Sequence, residues 1–123
     1  MKNNASYLTF AEHALHRARR ELTAGICDSA ARDAYCSAFA AAKEVIKRYA
    51  GQTTRSHSAV RKHLRALDGV RFDDSVFELL STGRRLMLQL DGGRRRVAVS
   101  RAQAAGYLDR AEAFLAAVKA VCR

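Results

Sequence analysis

The apolar residues of this chain recur at alternating steps of three and four, the spacing that places side chains on one face of an α-helix. The first such stripe covers residues 8–22 and ends before Gly25, a residue suited to a helix C-terminus. A wider stripe over residues 31–49 predicts the most buried helix, with Asp28 or Ser29 as its N-cap.

Three later stripes predict the remaining helices, over residues 60–67, 76–90 and 104–122. Residues 73–75 offer N-caps for the fourth helix, and Glu78 lies three residues after Ser75, as in a capping box. Ser100 and Gln103 have the same spacing at the start of the last helix. The intervening segment opens with Asp-Gly-Gly and continues with three consecutive arginines, a pattern that predicts a loop.

These elements define the expected fold class. The chain has 123 residues, contains no proline and is rich in alanine, a composition that favours long uninterrupted helices. Each amphipathic helix is marginal alone in water and must bury its apolar stripe against the others. We therefore predict an all-α protein, an antiparallel up-and-down bundle of four long helices plus one short helix, forming a single domain over residues 1–123.

The sequence also bears on the compartment. No apolar run approaches the ~20 residues needed to cross a bilayer, and the amino terminus lacks a signal-peptide pattern. Three cysteines, Cys27, Cys36 and Cys122, have no CxxC spacing, which fits neither a zinc ribbon nor a secreted disulfide framework. A cytoplasmic protein with no membrane association is the expectation.

Charge points to the kind of partner. The chain has 22 Lys and Arg against 12 Asp and Glu, a formal net charge of +10. Such a surface attracts polyanions, so the expected partners are RNA, DNA, nucleotides or an acidic protein. A GC-rich genome would also raise the arginine and alanine content, and in that case the positive charge would have no functional cause.

No motif of a familiar enzyme class is present. His13 and His16 have a spacing that places two imidazoles on one helix face, but no matching carboxylate pair follows on another helix. The chain has neither a GxSxG elbow nor a Gly-rich phosphate loop, and Cys36 falls in the most apolar helix, where a thiol is a packing group. We predict no catalytic residue, no metal and no cofactor.

Basic residues gather in two places that suit an anion. Arg55, His57 and Arg61 surround the start of the short third helix, where unpaired backbone N–H groups and the helix dipole favour phosphate. Arg84 and Arg85 on the fourth helix form a second group with the arginines of the following loop. The alternative in both places is a solvated basic helix face.

Three strings resemble a known family. SAARDAYCSAFAAAKEVI in the second helix, TTRSHSAVRKHL around the third and AGYLDRAEAFLAAVKAV at the end are similar to small prokaryotic HEPN proteins (higher eukaryotes and prokaryotes nucleotide-binding). The positions that match the family pattern are Tyr35, Phe39, Lys43, His57 and Ser58. The family's arginine position holds Asp33, with Arg32 one step earlier, so Arg32 joins the candidate phosphate-binding residues.

The resemblance implies a helical bundle, commonly a homodimer, paired with a minimal nucleotidyltransferase in a toxin–antitoxin-type system. Catalytic HEPN ribonucleases carry an arginine and a histidine with four to six residues between them, and this spacing is absent here. Seven residues separate Arg55 from His63, and one residue separates Arg61 from His63. We therefore expect a non-catalytic module that binds nucleotide or RNA phosphate. Two alternatives remain: a divergent ribonuclease whose site is assembled across a dimer, and a purely structural interaction domain.

Overall fold

A computed structural model of the chain describes residues 6–51, 56–67, 69–92 and 99–122. Within these residues all regular secondary structure is helical, which confirms the predicted all-α class. The helices are α1 (Tyr7–Thr23), α2 (Cys27–Ala50), α3 (His57–Arg65), α4 (Asp74–Gly92) and α5 (Arg101–Val121). The predicted four long helices and one short helix are all present.

Local sequence signals account for most helix ends. Gly51 ends α2 in the left-handed conformation, with φ 68°, and its N–H bonds the Lys47 carbonyl. Ser100 and Gln103 form the predicted capping box at the start of α5. The box predicted at Ser75 is wrong, because the Asp73 carboxylate accepts from the Ser75 N–H at 3.0 Å and Ser75 lies inside the helix.

The predicted N-cap of α2 is also wrong. The helix begins at Cys27, and Ile26 precedes it without a side-chain capping bond. Asp28, one of the two residues predicted as the cap, lies in the first turn, and its carboxylate accepts from the N–H of Val99 at 3.0 Å. The aspartate therefore ties the segment before α5 to α2, a long-range role that local sequence does not reveal.

The long helices alternate in direction. Helix α1 runs antiparallel to α2, as shown by the contacts Ala11–Ser37 and Arg17–Asp33. It also runs antiparallel to α5, as shown by the ion pairs Glu12–Lys119 and Arg19–Glu112. Helices α2 and α5 run in the same direction, since Asp28 bonds Val99 at one end and Arg48 bonds the Cys122 carbonyl at the other. Helix α4 runs opposite to α5, because Phe72, just before α4, packs on Phe114, whereas Gln89 near the other end of α4 lines a groove with Gln103. This is the predicted up-and-down arrangement.

Helix α2 is the centre of the bundle and packs against each of the other four helices. Its inward positions are mostly alanine, and Ala34, Ala38 and Ala41 are fully buried, so neighbouring backbones approach closely. The buried Ser37 hydroxyl donates to the Ala11 carbonyl at 2.7 Å across the contact with α1. Tyr49, predicted in the buried stripe, is exposed, because by the last turn of α2 its hydroxyl reaches out to the Val121 carbonyl.

Candidate anion-binding site

His57 is the first residue of α3. The Ser56 side chain caps this helix by accepting from the Ala59 N–H at 3.2 Å, which places the imidazole of His57 against α2. The imidazole stacks on the ring of Phe39, with 4.2 Å between centroids and 19° between planes. The hydroxyl of Tyr35 is hydrogen-bonded to Nδ1 of His57. The histidine is therefore held by two α2 side chains that lie one helical turn apart.

The α2 side of the site is one helix face. Tyr35, Phe39 and Lys43 are spaced by four residues, so their side chains follow one another along α2. Tyr35 is fully buried, whereas Phe39 and Lys43 are half-buried. The Nζ atom of Lys43 lies 4.9 Å from the Phe39 ring centroid and 4.7 Å from that of Tyr7 on α1. A cation is thus held between two aromatic rings beside the histidine.

Three positive charges act on His57. Burial, followed by the charges of Arg84, Arg61 and Lys43, lowers the pKa of His57 below its ordinary value. The same burial raises the pKa of Tyr35, against the opposing effect of Arg84 and Arg61. Across the described part of the chain, no ion pair involves Arg61 or Arg84. The site therefore combines an imidazole whose neutral form is favoured with guanidinium groups that form no ion pair with a described carboxylate.

A half-open cavity of about 390 Å³ adjoins this cluster. Helices α1, α2 and α4 and the first residue of α3 enclose it, and its wall is mainly apolar. The residues that define its character are Tyr7, Phe10, Phe39, Lys43, His57 and Met87. His57 and Lys43 are part of this wall, whereas Arg61 and Arg84 do not line the cavity, and Arg61 lines a neighbouring groove with Ser58 and Ser81. The charges of both arginines act on His57, which therefore lies between the cavity and these cations.

The structure brings together three of the six residues predicted to bind phosphate, namely His57, Arg61 and Arg84. Arg85 faces a different groove, between α4 and α5, which it lines with Gln89 and Gln103. Adjacent helix positions point about 100° apart, which explains the separation.

The other candidates lie elsewhere. Arg32 is half-buried on α2, one turn before Tyr35, and is not among the residues that line the cavity. Arg55 lies outside the described residues, as do the three arginines of the predicted loop at 94–96.

Sequence reasoning missed several residues of the site. Lys43 matches the family pattern, but the sequence analysis assigns it no role. Its spacing of four residues from Phe39 is the feature that could have placed it beside His57. Tyr7 and Phe10 on α1 and Met87 on α4 carried no such signal, because only the packing of different helices brings them together. Cys36, predicted as a packing residue, is half-buried and lines the same cavity.

The remaining sequence candidates contribute no site in the part of the chain that the structure describes. His13 and His16 are exposed on α1. Among the described residues, no group of three or more His, Cys, Asp or Glu side chains is placed to hold a metal ion. None of the helices described has the length and apolar character required to span a bilayer.

Comparisons with models of protein families, with curated proteins and with solved structures find no match to this chain. The resemblance to HEPN proteins therefore remains a prediction.

Proposed function

We propose that this protein is a HEPN-like helical module that binds the phosphate of a nucleotide or of RNA at the cluster formed by His57, Arg61, Arg84 and Lys43. The observation that carries the proposal is the position of the half-buried His57 at the start of α3, where its ring stacks on Phe39 beside Lys43 and lies in the electrostatic field of Arg61 and Arg84. Burial, and then the charges of these three cations, lower the pKa of His57, because a desolvated site and like charges both disfavour the protonated imidazole. A bound phosphate would offset this repulsion and accept hydrogen bonds from the guanidinium groups.

Association with other proteins is the second part of the proposal. By its resemblance to HEPN proteins, the chain is expected to form a homodimer and to pair with a minimal nucleotidyltransferase in a toxin–antitoxin-type system. A molar-mass measurement on the purified protein, with identification of any co-purifying protein or nucleic acid, tests this part. A monomer that carries no partner would contradict it.

The phosphate site is tested by a matched pair of charge reversals. Arg84→Glu and Arg85→Glu change the net charge equally at adjacent positions, but only Arg84 acts on His57. We expect Arg84→Glu to weaken binding of a nucleotide about 10-fold or more, and Arg85→Glu to weaken it much less. Binding should also weaken steeply between about 50 and 200 mM salt. Equal effects of the two variants would show that net charge, and not this cluster, attracts the ligand.

A ribonuclease activity is the second candidate, and the hydrogen bond between Tyr35 and His57 favours it. A neutral imidazole beside several cations is able to accept a proton from a ribose hydroxyl while the cations stabilise charge on phosphate. RNA cleavage by the purified protein that is lost in His57→Ala and retained in Arg85→Glu would support this activity. Intact RNA after prolonged incubation would exclude it and leave the binding proposal in place.

A further inference from the structure

Two adjacent grooves lie between α3 and α4. The groove that Arg61 lines with Ser58 and Ser81 has a volume of about 300 Å³. A larger groove of about 420 Å³ lies between the end of α3 and the start of α4. Because Arg65 and Phe77 line both grooves, the two form one continuous surface, which we call the α3–α4 surface.

The α3–α4 surface is positively charged. Helix α3 contains no acidic residue, and the cations that line the two grooves are Arg61, Lys62, Arg65 and Arg71. Apart from Arg61, which is half-buried, these side chains are exposed. Within the described residues, Arg65 is the one member of this group that forms an ion pair, and its partner is Asp74. The surface therefore offers cations to an external anion.

Arg65 is the best placed of these cations to bind a carboxylate. Its guanidinium lies over the Phe77 ring, 4.0 Å from the centroid, and a guanidinium that packs on a ring still donates from its N–H groups. The distance from Arg65 Nη1 to Asp74 Oδ1 is 3.8 Å, too long for a hydrogen bond. Both side chains are largely exposed, at 63% and 96%, so this ion pair is weak and easily exchanged for another carboxylate.

The larger groove also has an apolar part. Leu67 and Val70 are half-buried and line it, and the buried Leu64 lies beneath them. Its two aromatic rings are engaged within the protein, since Phe77 is buried under the Arg65 guanidinium and Phe72 packs edge-on with Phe114 at 5.2 Å between centroids. The apolar part therefore suits an aliphatic side chain better than a nucleic-acid base, which stacks on an open aromatic face.

We propose that the α3–α4 surface docks an acidic segment of a partner protein, with carboxylates on its cations and an aliphatic side chain in the larger groove. The inference rests on the second part of the proposed function, association with another protein, and adds the surface and the chemistry of the partner. A symmetric contact with a second copy through this surface would bring like charges together. The partner is therefore a different, acidic chain.

Magnetic resonance titration of the isotope-labelled protein tests the proposal, because shifts of backbone amides locate even weak binding. The first probe is a short peptide with one leucine between two pairs of glutamates. A second peptide has serine in place of the leucine, a third has glutamines in place of the glutamates, and a short oligouridylate of equal charge is the fourth probe. The amides of α3 and of residues 69–73 should shift with the first peptide.

We expect the leucine peptide to bind about 10-fold or more tightly than the serine peptide, because it buries an aliphatic side chain. The glutamine peptide should bind more weakly than the leucine peptide, because it lacks the carboxylates. Equal affinities of the leucine and serine peptides would overturn the proposal. Tighter binding of the oligouridylate at the same amides would also overturn it and make this a nucleic-acid surface.

Two charge reversals locate the peptide. Arg71 lines the larger groove, whereas Arg110 is exposed on α5 and lines neither groove, so Arg71→Glu and Arg110→Glu form a matched pair. Arg71→Glu should weaken binding of the leucine peptide about 5-fold or more, and Arg110→Glu should weaken it much less. Equal effects would show that net charge alone attracts the peptide, and would contradict the docking surface.

Failure of this proposal is distinguishable from failure of the proposed function. If no probe peptide shifts the amides of the α3–α4 surface, the docking surface is wrong, whereas nucleotide binding and the molar mass of the purified protein are measured independently of it. Binding of a nucleotide should survive Arg71→Glu, because Arg71 is not among the cations that act on His57.

Discussion

Gly83 of α4 lies directly against the ring of Tyr35 of α2. A Cβ atom at position 83 would lie 2.7 Å from Cγ and 3.0 Å from Cβ of Tyr35. Tyr35 is 1% exposed, so its ring has little room to withdraw. The glycine therefore allows α4 to pack on α2 while the Tyr35 hydroxyl reaches His57.

Gly83→Ala should destabilise the protein by about 1 to 3 kcal/mol, because the added methyl group forces the buried ring to move. Gly106→Ala is the matched control, since a Cβ there meets only the end of the Arg110 side chain at 4.0 Å. That substitution should stabilise the protein by about 0.5 to 1 kcal/mol through helix propensity. Urea unfolding of both variants provides the measurement, and a neutral Gly83→Ala would show that Tyr35 is not confined.

Removing the Tyr35 hydroxyl should cost about 1 kcal/mol of unfolding free energy, because it takes a hydrogen-bond partner from Nδ1 of the half-buried His57. Tyr49→Phe removes a comparable hydroxyl that donates to the Val121 carbonyl at an exposed position, where water replaces it. The loss in Tyr35→Phe should exceed the loss in Tyr49→Phe when both are measured by chemical unfolding. Equal losses would argue against a structural role for the bond between Tyr35 and His57.

The titration of His57 should make stability depend on pH. Because the folded state lowers the pKa of His57 below its ordinary value, the unfolded state binds the proton more readily. This contribution to stability is complete above the unfolded pKa of about 6.5 and is lost as the pH falls through the folded pKa. His57→Gln should remove it, so the difference between the wild-type and variant unfolding free energies should shrink as the pH falls. A difference that is constant with pH would contradict the shift.

The titration of Glu21 should make the unfolding free energy change with pH in the opposite direction. Its burial, and then the neighbouring Asp33 carboxylate, raise the pKa of Glu21 from 4.5 to about 7, while Arg17 and Arg20 partly oppose this. The folded state therefore holds the proton more tightly, and the stability present below pH 4.5 is lost as the pH rises towards 7. Glu21→Gln should stabilise the protein at pH values above 7 by about 1 kcal/mol, after allowance for solvent screening.

The control for Glu21→Gln is Glu112→Gln, which removes a carboxylate from an exposed ion pair with Arg19. This change should alter the unfolding free energy by no more than about 1 kcal/mol. The loss of stability between pH 4.5 and 7 that we assign to Glu21 should remain. If this pH dependence of the unfolding free energy disappeared in Glu112→Gln, or persisted in Glu21→Gln, a group other than Glu21 would be responsible.

Periodicity predicted the helices because the physical cause of each is local. The buried positions of α5 are an example, since Ala104, Leu108, Ala111 and Leu115 were all predicted and all lie in the core. The N-cap of α2 was mispredicted because Asp28 bonds Val99, a residue far away in sequence. Local capping rules describe a side chain that hydrogen-bonds to the backbone of its own helix. They fail when the side chain bonds a distant segment instead.

The site was only partly predictable for a related reason. His57 was found from its position at a helix start, and Arg61 follows one turn later on the same helix. Sequence grouped Arg84 with Arg85 because they are adjacent, whereas the structure separates them on two faces of α4. The aromatic cavity comes from residues on separate helices, and no single-helix pattern encodes it.

The most direct test of the central claim is the titration of the four histidines by nuclear magnetic resonance, with and without adenosine monophosphate. Without ligand, His57 should titrate below the ordinary range, because of its partial burial and the charges of Arg84, Arg61 and Lys43. With the phosphate bound beside it, the pKa of His57 should rise, because a negative charge favours the protonated imidazole. A ligand that binds and leaves the His57 titration unaltered would show that the phosphate lies elsewhere.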